Sequence, residues 1–486
     1  MRRPAWTDPE RDKESQAADD DASELDDDGI DRNPCKFPDL LFAIAFAAMV
    51  CCIIYTAFYY QYAGRVDFDD AAESAAGNLF AVLIASYVSA AVVSQIIASI
   101  ALRSGSSALD VVLGASNALV LTGSVLAFIW VDAWAGCALL AVCVVGGAFQ
   151  VLARSDRSEF AAETTCVGCE AVLDYASLEA GAFVITVVSA LVFGTFSVAF
   201  YGYYAFQASD DDGDVSLILA CLSFALCFFW AQQVLKYIIV CATASTASGW
   251  WFSKANTAPI AAFARAVTYH YGSICFGSLI VAPVECISTS VNFVKRKSAR
   301  AEGATAYSVL AGCLYCVTSL LQCCESILDY CNKFAFVYVG TRGASYAYAS
   351  MQIVSLFDTQ SCIAAGADFY AETVMVMSSI GIGAATAAFA VGLTNDSTEL
   401  EASYVVAVLA GAGGYGVAAT AFSVIEAANK AALVLFLEDP DALKRSHESD
   451  FDRLSGIWHL LGREVAGLPE EFEPLQAAFG EDPFTY

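Results

Sequence analysis

The chain has 486 residues, of which 58% are hydrophobic and 16% charged, and its mean hydropathy is +0.57. This composition excludes a soluble globular protein, and with a net charge of −28 we expect no nucleic-acid partner. The hydrophobic residues form long blocks that, as helices, can cross a hydrocarbon layer of about 30 Å. We therefore predict an all-α polytopic integral membrane protein with about ten transmembrane helices.

The first segment, residues 1–38, is an acidic tail. It holds twelve Asp and Glu residues against six Lys and Arg residues, and few apolar ones. Such a segment is predicted to be a disordered cytoplasmic tail, and a docking segment is the alternative. No pattern of a cleaved signal peptide precedes residue 39, so we expect the first span to act as the insertion signal.

Residues 39–437 are predicted to form the transmembrane bundle, and residues 438–486 a cytoplasmic C-terminal tail. The predicted spans, in chain order, are 39–62, 77–102, 109–131, 134–153, 178–206, 215–248, 268–293, 306–340, 372–393 and 402–437. Between the fourth and fifth spans, residues 155–174 mix acidic with small and apolar residues, which favours an interfacial helix.

The charges of the loops predict the orientation of the bundle. Basic residues such as Arg103 and Arg154 mark alternate loops, whereas the opposite loops, 67–70 and 210–214, are acidic. Both termini are therefore predicted to be cytoplasmic. The basic cluster at 295–300 disagrees with strict alternation, which leaves the topology of 294–340 open. The sequon at Asn395 lies in a predicted external loop and is a candidate glycosylation site.

The eighteen cysteines and three histidines do not indicate a metal site or an enzyme. Two CxxC pairs occur, Cys166/Cys169 and Cys313/Cys316, but the histidine nearest to either pair in the sequence is His270. We interpret these cysteines as packing residues, with palmitoylation sites as the alternative for those next to the membrane. No phosphate-binding glycine loop and no hydrolase constellation is present, so we expect no cofactor, no metal and no enzymatic activity.

Four separated stretches resemble the choline transporter-like family, and the similarity covers roughly residues 215–440. One is Arg265-Ala-Val-Thr-Tyr-His-Tyr-Gly-Ser273, in which a histidine lies between two tyrosines. The others are 229–237 running on to 249–252, 323–336, and 422–439. The chain departs from the family at Lys430, where an aspartate is usual. It also lacks the large insertion after the first span that animal members carry.

The resemblance implies transport of choline or a related organic cation across the plasma membrane, by ATP-independent alternating access in a lipid bilayer. A quaternary ammonium has no N–H donor, and aromatic faces are its usual receptor. The candidate substrate-binding residues are Trp230, Trp250, Trp251, Tyr269, His270, Tyr271, Phe276 and Glu285. The alternative for the aromatic residues is anchoring at the membrane interface.

Ionisable residues within the spans are further candidates. Glu285 and His270 could balance the substrate cation or take part in proton coupling, whereas solvation or a helix-holding hydrogen bond is the structural alternative. Asp329 is positioned to pair with Lys333, and Glu426 with Lys430. The competing functions are a non-transporting membrane scaffold, a carrier of ethanolamine or another small solute, and a channel or lipid-handling protein.

Overall fold

The computed structural model describes ten stretches of the chain, which include most of the predicted bundle. These are residues 39–62, 70–130, 133–152, 156–173, 175–209, 214–252, 258–280, 332–358, 361–394 and 400–465. All regular structure within these ranges is helical, which confirms the predicted all-α class.

The helices are numbered here in chain order. They are α1 Leu40–Tyr62, α2 Asp70–Leu102, α3 Ala108–Trp130, α4 Ala133–Leu152, α5 Asp156–Leu173, α6 Ala176–Ser209, α7 Asp214–Trp251, α8 Pro259–Val267, α9 Tyr271–Ile280, α10 332–342, α11 Tyr346–Asp358, α12 Ser361–Thr394, α13 Leu400–Glu438, α14 Pro440–Ser446 and α15 Glu448–Val465. A short 3-10 turn, Gly105–Ser107, joins α2 to α3.

Seven of the described helices contain segments long and apolar enough to cross a membrane. The segments are Leu40–Tyr59, Ala81–Leu102, Gly105–Phe128, Ala176–Tyr203, Leu222–Trp251, Asp368–Leu393 and Val405–Glu438. Shorter apolar helices cover Gly136–Val151 and Tyr271–Ile280. The seven long segments match seven of the ten predicted spans, and the two shorter helices lie within two more, although 268–293 is described only as far as residue 280. Most of the remaining one, 306–340, lies outside the described residues.

The long helix α13 forms the centre of the bundle. Its most extensive partner is α12, and it also packs against α7, α2, α5 and α6. Glycines allow these helices to approach closely, since a Cβ on Gly383 would lie 2.8 Å from the carbonyl oxygen of Gly411 and one on Gly413 would lie 2.3 Å from the ring of Tyr87. The glycine-rich composition of these two spans therefore serves helix packing.

The predicted interfacial helix is α5, and it is more deeply packed than an interfacial position implies. Thr164 and Thr165 are buried and donate hydrogen bonds of 2.8 and 3.1 Å to Oδ1 of Asn429 on α13. The same helix buries Cys166 and Cys169. Residues 156–173 thus brace the central helix, because their polar side chains find partners on it.

The C-terminal segment that follows the bundle contains two helices, α14 and α15, which the sequence did not predict. Asp439 caps α14 by accepting a hydrogen bond from the backbone N–H of Ala442 at 3.0 Å. The helix α15 packs against α5 through Trp458 and Phe160, whose ring centroids are 5.5 Å apart. The described part of this segment is therefore docked on the bundle.

Candidate functional site

The tyrosine–histidine motif lies in and just after the short connection between helices α8 and α9. The amphipathic helix α8 ends at Val267, and α9 begins at Tyr271. The backbone N–H of His270 donates to the carbonyl of Arg265 at 3.1 Å, and the carbonyl of His270 accepts from Ile274. His270, half-buried, therefore stands at the N-terminal end of α9.

A contact to the start of α1 places this end of α9 at one face of the bundle. Ser273 donates a hydrogen bond of 3.0 Å to Asp39, which directly precedes α1. Helix α8 bears the basic residue Arg265 and packs against α7. The start of α1, the end of α7 and the start of α9 thus lie at the same face, as the alternating loop charges predict.

Around α9 lie two groups of contacting aromatic rings, which together we call the aromatic cluster. Its members are Phe42, Phe46, Trp230, Tyr237, Tyr271, Phe276, Phe336 and Tyr346. Phe46 joins Trp230 and Tyr271 through edge-on contacts at 5.3 and 6.2 Å. The predicted site residues Trp230 and Tyr271 therefore share the partner Phe46, whereas Phe276 contacts Phe42 and Tyr346 in the other group.

The local sequence explains the spacing of the cluster. The indole N–H of Trp230 donates to the carbonyl of Cys275 at 3.1 Å, which ties α7 to α9. Gly277 leaves room for two rings, because a Cβ there would lie 2.5 Å from both Phe336 and Tyr346. Ring centroids of Tyr237 and Phe336 are 3.7 Å apart and nearly parallel, which extends the cluster to α10.

Trp250 and Trp251 contact the C-terminal segment instead of the aromatic cluster. The ring of Trp250 stacks on His447 with centroids 3.7 Å apart. Trp251 is almost fully buried, and its indole N–H donates to the carbonyl of Asp439 at 3.1 Å. Ser446 donates to the backbone carbonyl of Trp251 at 2.9 Å. These contacts hold α14 against the end of α7.

The remaining predicted site residues lie in the α8–α9 connection or outside the described residues. Tyr269 is 39% exposed in the short connection between α8 and α9. Glu285 and the sequon residue Asn395 lie outside the described residues. Their predicted roles stay predictions.

Beside the aromatic cluster lies a set of six buried and half-buried charged side chains, which we call the charge cluster. Its members are Lys236 of α7, Lys333 of α10, Asp368 and Glu372 of α12, and Glu426 and Lys430 of α13. Three lysines thus face three carboxylates, and their formal charges balance. Charged groups buried within a membrane bundle are costly and are functional candidates.

The pairing within the charge cluster is uneven. Glu426 holds two ammonium groups, Lys430 at 2.7 Å and Lys236 at 2.8 Å. Glu372 binds Lys333 at 2.5 Å. Lys430 is 3.8 Å from Glu372 and 3.9 Å from Asp368, too far for a direct hydrogen bond to either.

Sequence reasoning found part of this charge cluster. The predicted pairing of Glu426 with Lys430 is confirmed, and Lys333 binds Glu372, while Asp329 lies outside the described residues. Lys236, Asp368 and Glu372 were missed as site residues. A signal was present, because Asp368 and Glu372 are four residues apart at the start of an apolar helix.

The two clusters adjoin along α7 and α10. Adjacent residues of α7 serve different clusters, since Lys236 binds Glu426 and Tyr237 stacks on Phe336. On α10, Phe334 lies under the ammonium group of Lys430 at 5.8 Å. The arrangement places aromatic faces, which can attract cations, next to the ion pairs of the charge cluster.

Outside the spans, α15 is clamped to α5 by Arg453. Its guanidinium contacts Glu170 at 3.2 Å, Asp450 at 2.8 Å and Glu163 at 3.6 Å. Burial, with the nearby Glu170, raises the pKa of the Cys166 thiol to about 11 although Arg453 opposes this shift. The thiol is therefore neutral at physiological pH, and no metal-binding group of three ligands occurs among the described residues.

The fold and these clusters define a multi-pass helical membrane protein with cation-compatible aromatic and charged groups in its bundle. The family model described as plasma-membrane choline transporter matches residues 138–441, which is more than half of the chain. The protein belongs to this choline transporter-like family. The resemblance deduced from the four sequence stretches is thereby confirmed.

Individual relatives align over only part of their length. A CTL-like protein of Dictyostelium discoideum is 28% identical over 174 residues, 34% of this chain and 31% of that protein. The protein PNS1 of Mycosarcoma maydis is 28% identical over 185 residues, 38% of this chain and 34% of that protein. Choline transporter-like 2 of Anopheles gambiae is 26% identical over 250 residues, 49% of this chain and 30% of that protein. The alignments thus span about a third of these relatives.

Proposed function

We propose that the protein carries choline or a related organic cation across a membrane, without ATP, by alternating access. The observation that carries this proposal is the aromatic cluster around α9, in a chain of the choline transporter-like family. Its rings come from α1, α7, α9, α10 and α11. Movement of these helices would change the cluster and so couple substrate binding to a conformational change.

The chemistry of the aromatic cluster fits a quaternary ammonium ion. Such a cation gains about 0.5–2 kcal/mol from each aromatic face, and it offers no N–H for a carboxylate to bind. We assign the primary contact to Trp230, Tyr271 and Phe276. Trp250, Trp251, Tyr269, His270 and Glu285 remain candidates for the entry route or for coupling.

Family membership also favours a transporter over an enzyme. The proposed location is the plasma membrane with both termini in the cytoplasm, which agrees with the loop charges and with the shared face of α1, α7 and α9. The proposed partners are the lipid bilayer and the small cationic substrate.

The direct test is uptake of radiolabelled choline by a yeast strain that cannot take up choline. We expect saturable uptake above the empty vector, reduced by unlabelled choline. Unlabelled ethanolamine and sodium-free medium define the specificity and the coupling ion. A flat result with the protein verified at the cell surface rejects choline transport and leaves another solute or a membrane scaffold.

The aromatic assignment has its own test. Trp230→Ala should raise KM roughly tenfold, since about 1–2 kcal/mol of cation–π attraction is lost, whereas Trp230→Phe retains a ring. The same measurement on Trp250→Ala and Tyr269→Ala tests whether these two candidate residues also contribute to substrate binding. Unchanged KM for both Trp230→Ala and Tyr271→Ala at normal surface level rejects the assignment.

A further inference from the structure

The carboxyl group of Asp368 occupies an unusual position in the charge cluster. The residue is only 2% exposed, and among the described residues no donor lies within hydrogen-bond distance of its Oδ1 atom. The nearest ammonium group, on Lys430, is 3.9 Å from that oxygen. Asp368 therefore has a buried oxygen without a direct partner.

The neighbouring charges are already paired with other groups. Lys430 on α13 donates to Glu426 at 2.7 Å, and Lys333 on α10 binds Glu372 at 2.5 Å. Glu372 lies on the same helix as Asp368, and Glu426 faces it from α13. Two carboxylates of the charge cluster thus have a lysine in direct contact, and Asp368 does not.

An ionised carboxylate is expensive to bury without a donor or a close counter-ion, and such groups become neutral instead. The Oδ1 atom is covered from solvent, so a hydrated or organic cation finds no room beside it in this conformation. A proton needs no additional volume. We propose that Asp368 is a proton-binding site and that its carboxyl group carries a proton in the conformation described here.

Release of this proton to water would change the pairing of Lys430. The new carboxylate attracts the ammonium group, which is about 1 Å too distant for a hydrogen bond. Glu426 retains Lys236 at 2.8 Å, so Lys430 can leave it without stranding the carboxylate. Deprotonation thereby transfers Lys430 from a bond within α13 to a bond between α13 and α12, an exchange between two discrete states.

The proton site is tested with the purified full-length protein by infrared difference spectroscopy in the stretching region of protonated carboxyl groups. Exposed carboxylates are ionised above about pH 5, so they are silent near neutral pH. We expect a protonated-carboxyl band in the native protein that titrates on alkalinisation. The band should be lost in Asp368→Asn and kept in the surface control Asp452→Asn.

A second variant keeps the test decisive if Asp368→Asn does not fold. Lys430→Met removes the cation that favours the ionised form, so the band should persist to higher pH than in the native protein. Absence of the band from the native protein, its survival in Asp368→Asn, or an unchanged titration in Lys430→Met would each overturn the proposal.

The proton site does not depend on the proposed transport, but its role in coupling does. The spectra require no substrate, so a failure of choline uptake leaves them unaffected. In proteoliposomes that transport choline, an imposed pH gradient should change the initial rate in the native protein and not in Asp368→Asn. A gradient effect of equal size in both would separate the proton site from transport.

Discussion

At the scale of single residues, Lys430 has the most consequential environment. Its side chain is 2% exposed and lies among Glu426, Asp368 and Glu372. The side chain is thus a buried cation surrounded by carboxylates. Solvent cannot reach this position to replace the lost ion pair when the lysine is removed.

Replacing Lys430 by Met should destabilise the protein by about 1–3 kcal/mol, because Glu426 loses the ammonium group at 2.7 Å and keeps only Lys236. The measurement is thermal unfolding in detergent micelles, with Lys444→Met on the exposed face of α14 as the control. A melting temperature equal to that of the control would contradict this interpretation.

The Cys166 thiol supplies a pH prediction at the same scale. Burial and the charge of Glu170 raise its pKa to about 11, so the native thiol should not react with an alkylating reagent at neutral pH. Because the thiolate is the nucleophile, reactivity should rise as pH approaches 11. Mass spectrometry of native and denatured samples measures this, and full native labelling at neutral pH would refute it.

At the scale of helices, the contact of α5 with α13 depends on one glycine. A Cβ on Gly168 would lie 2.3 Å from the backbone carbonyl oxygen of Ala428. Backbone atoms cannot rotate away as a flexible side chain can, so the helices would have to separate. The CxxC segment that contains Gly168 is thus a packing motif.

Gly168→Ala should lower the stability by about 1–3 kcal/mol through overpacking, despite the better helix propensity of alanine. The matched control is Gly147→Ala on α4, where a Cβ meets nothing within 4 Å. The melting temperatures of both variants in one detergent provide the comparison. Equal effects at the two positions would show that the close approach does not limit packing.

At the scale of the whole molecule, the C-terminal helices fix the ends of three others. Trp251 at the end of α7 and Asp439 after α13 are bonded to each other, and Arg453 of α15 reaches Glu170 of α5. Ser273 joins the start of α9 to the start of α1, and α8, which precedes α9, packs against α7. The starts of α1 and α9 and the C-terminal helices therefore occupy one face. The loop charges predict that this face is cytoplasmic.

The exposed position 449 on α15 provides a test of this orientation. A membrane-impermeant thiol reagent added to intact cells should not label Ser449→Cys above the background of the parent protein, whereas permeabilised cells should show labelling. The reason is that α15 is docked on the face predicted to be cytoplasmic. Additional labelling in intact cells would invert the orientation.

The sequence by itself determined the helical class, the positions of the seven long apolar segments, the family and the pairing of Glu426 with Lys430. These features follow from local properties: apolar segments of membrane length, motif residues in order, and charges four residues apart on one helix. It also selected Trp230 and Tyr271, which both contact Phe46 although α7 and α9 are separate in the chain.

Only the tertiary structure decided which distant residues meet. The contacts of Lys236 with Glu426, of Trp250 with His447 and of Arg453 with Glu170 join helices far apart in sequence. No local periodicity encodes such pairs, because they depend on how the helices cross. The isolated position of Asp368 emerges for the same reason, since a buried carboxyl group is recognised only once its neighbours are known.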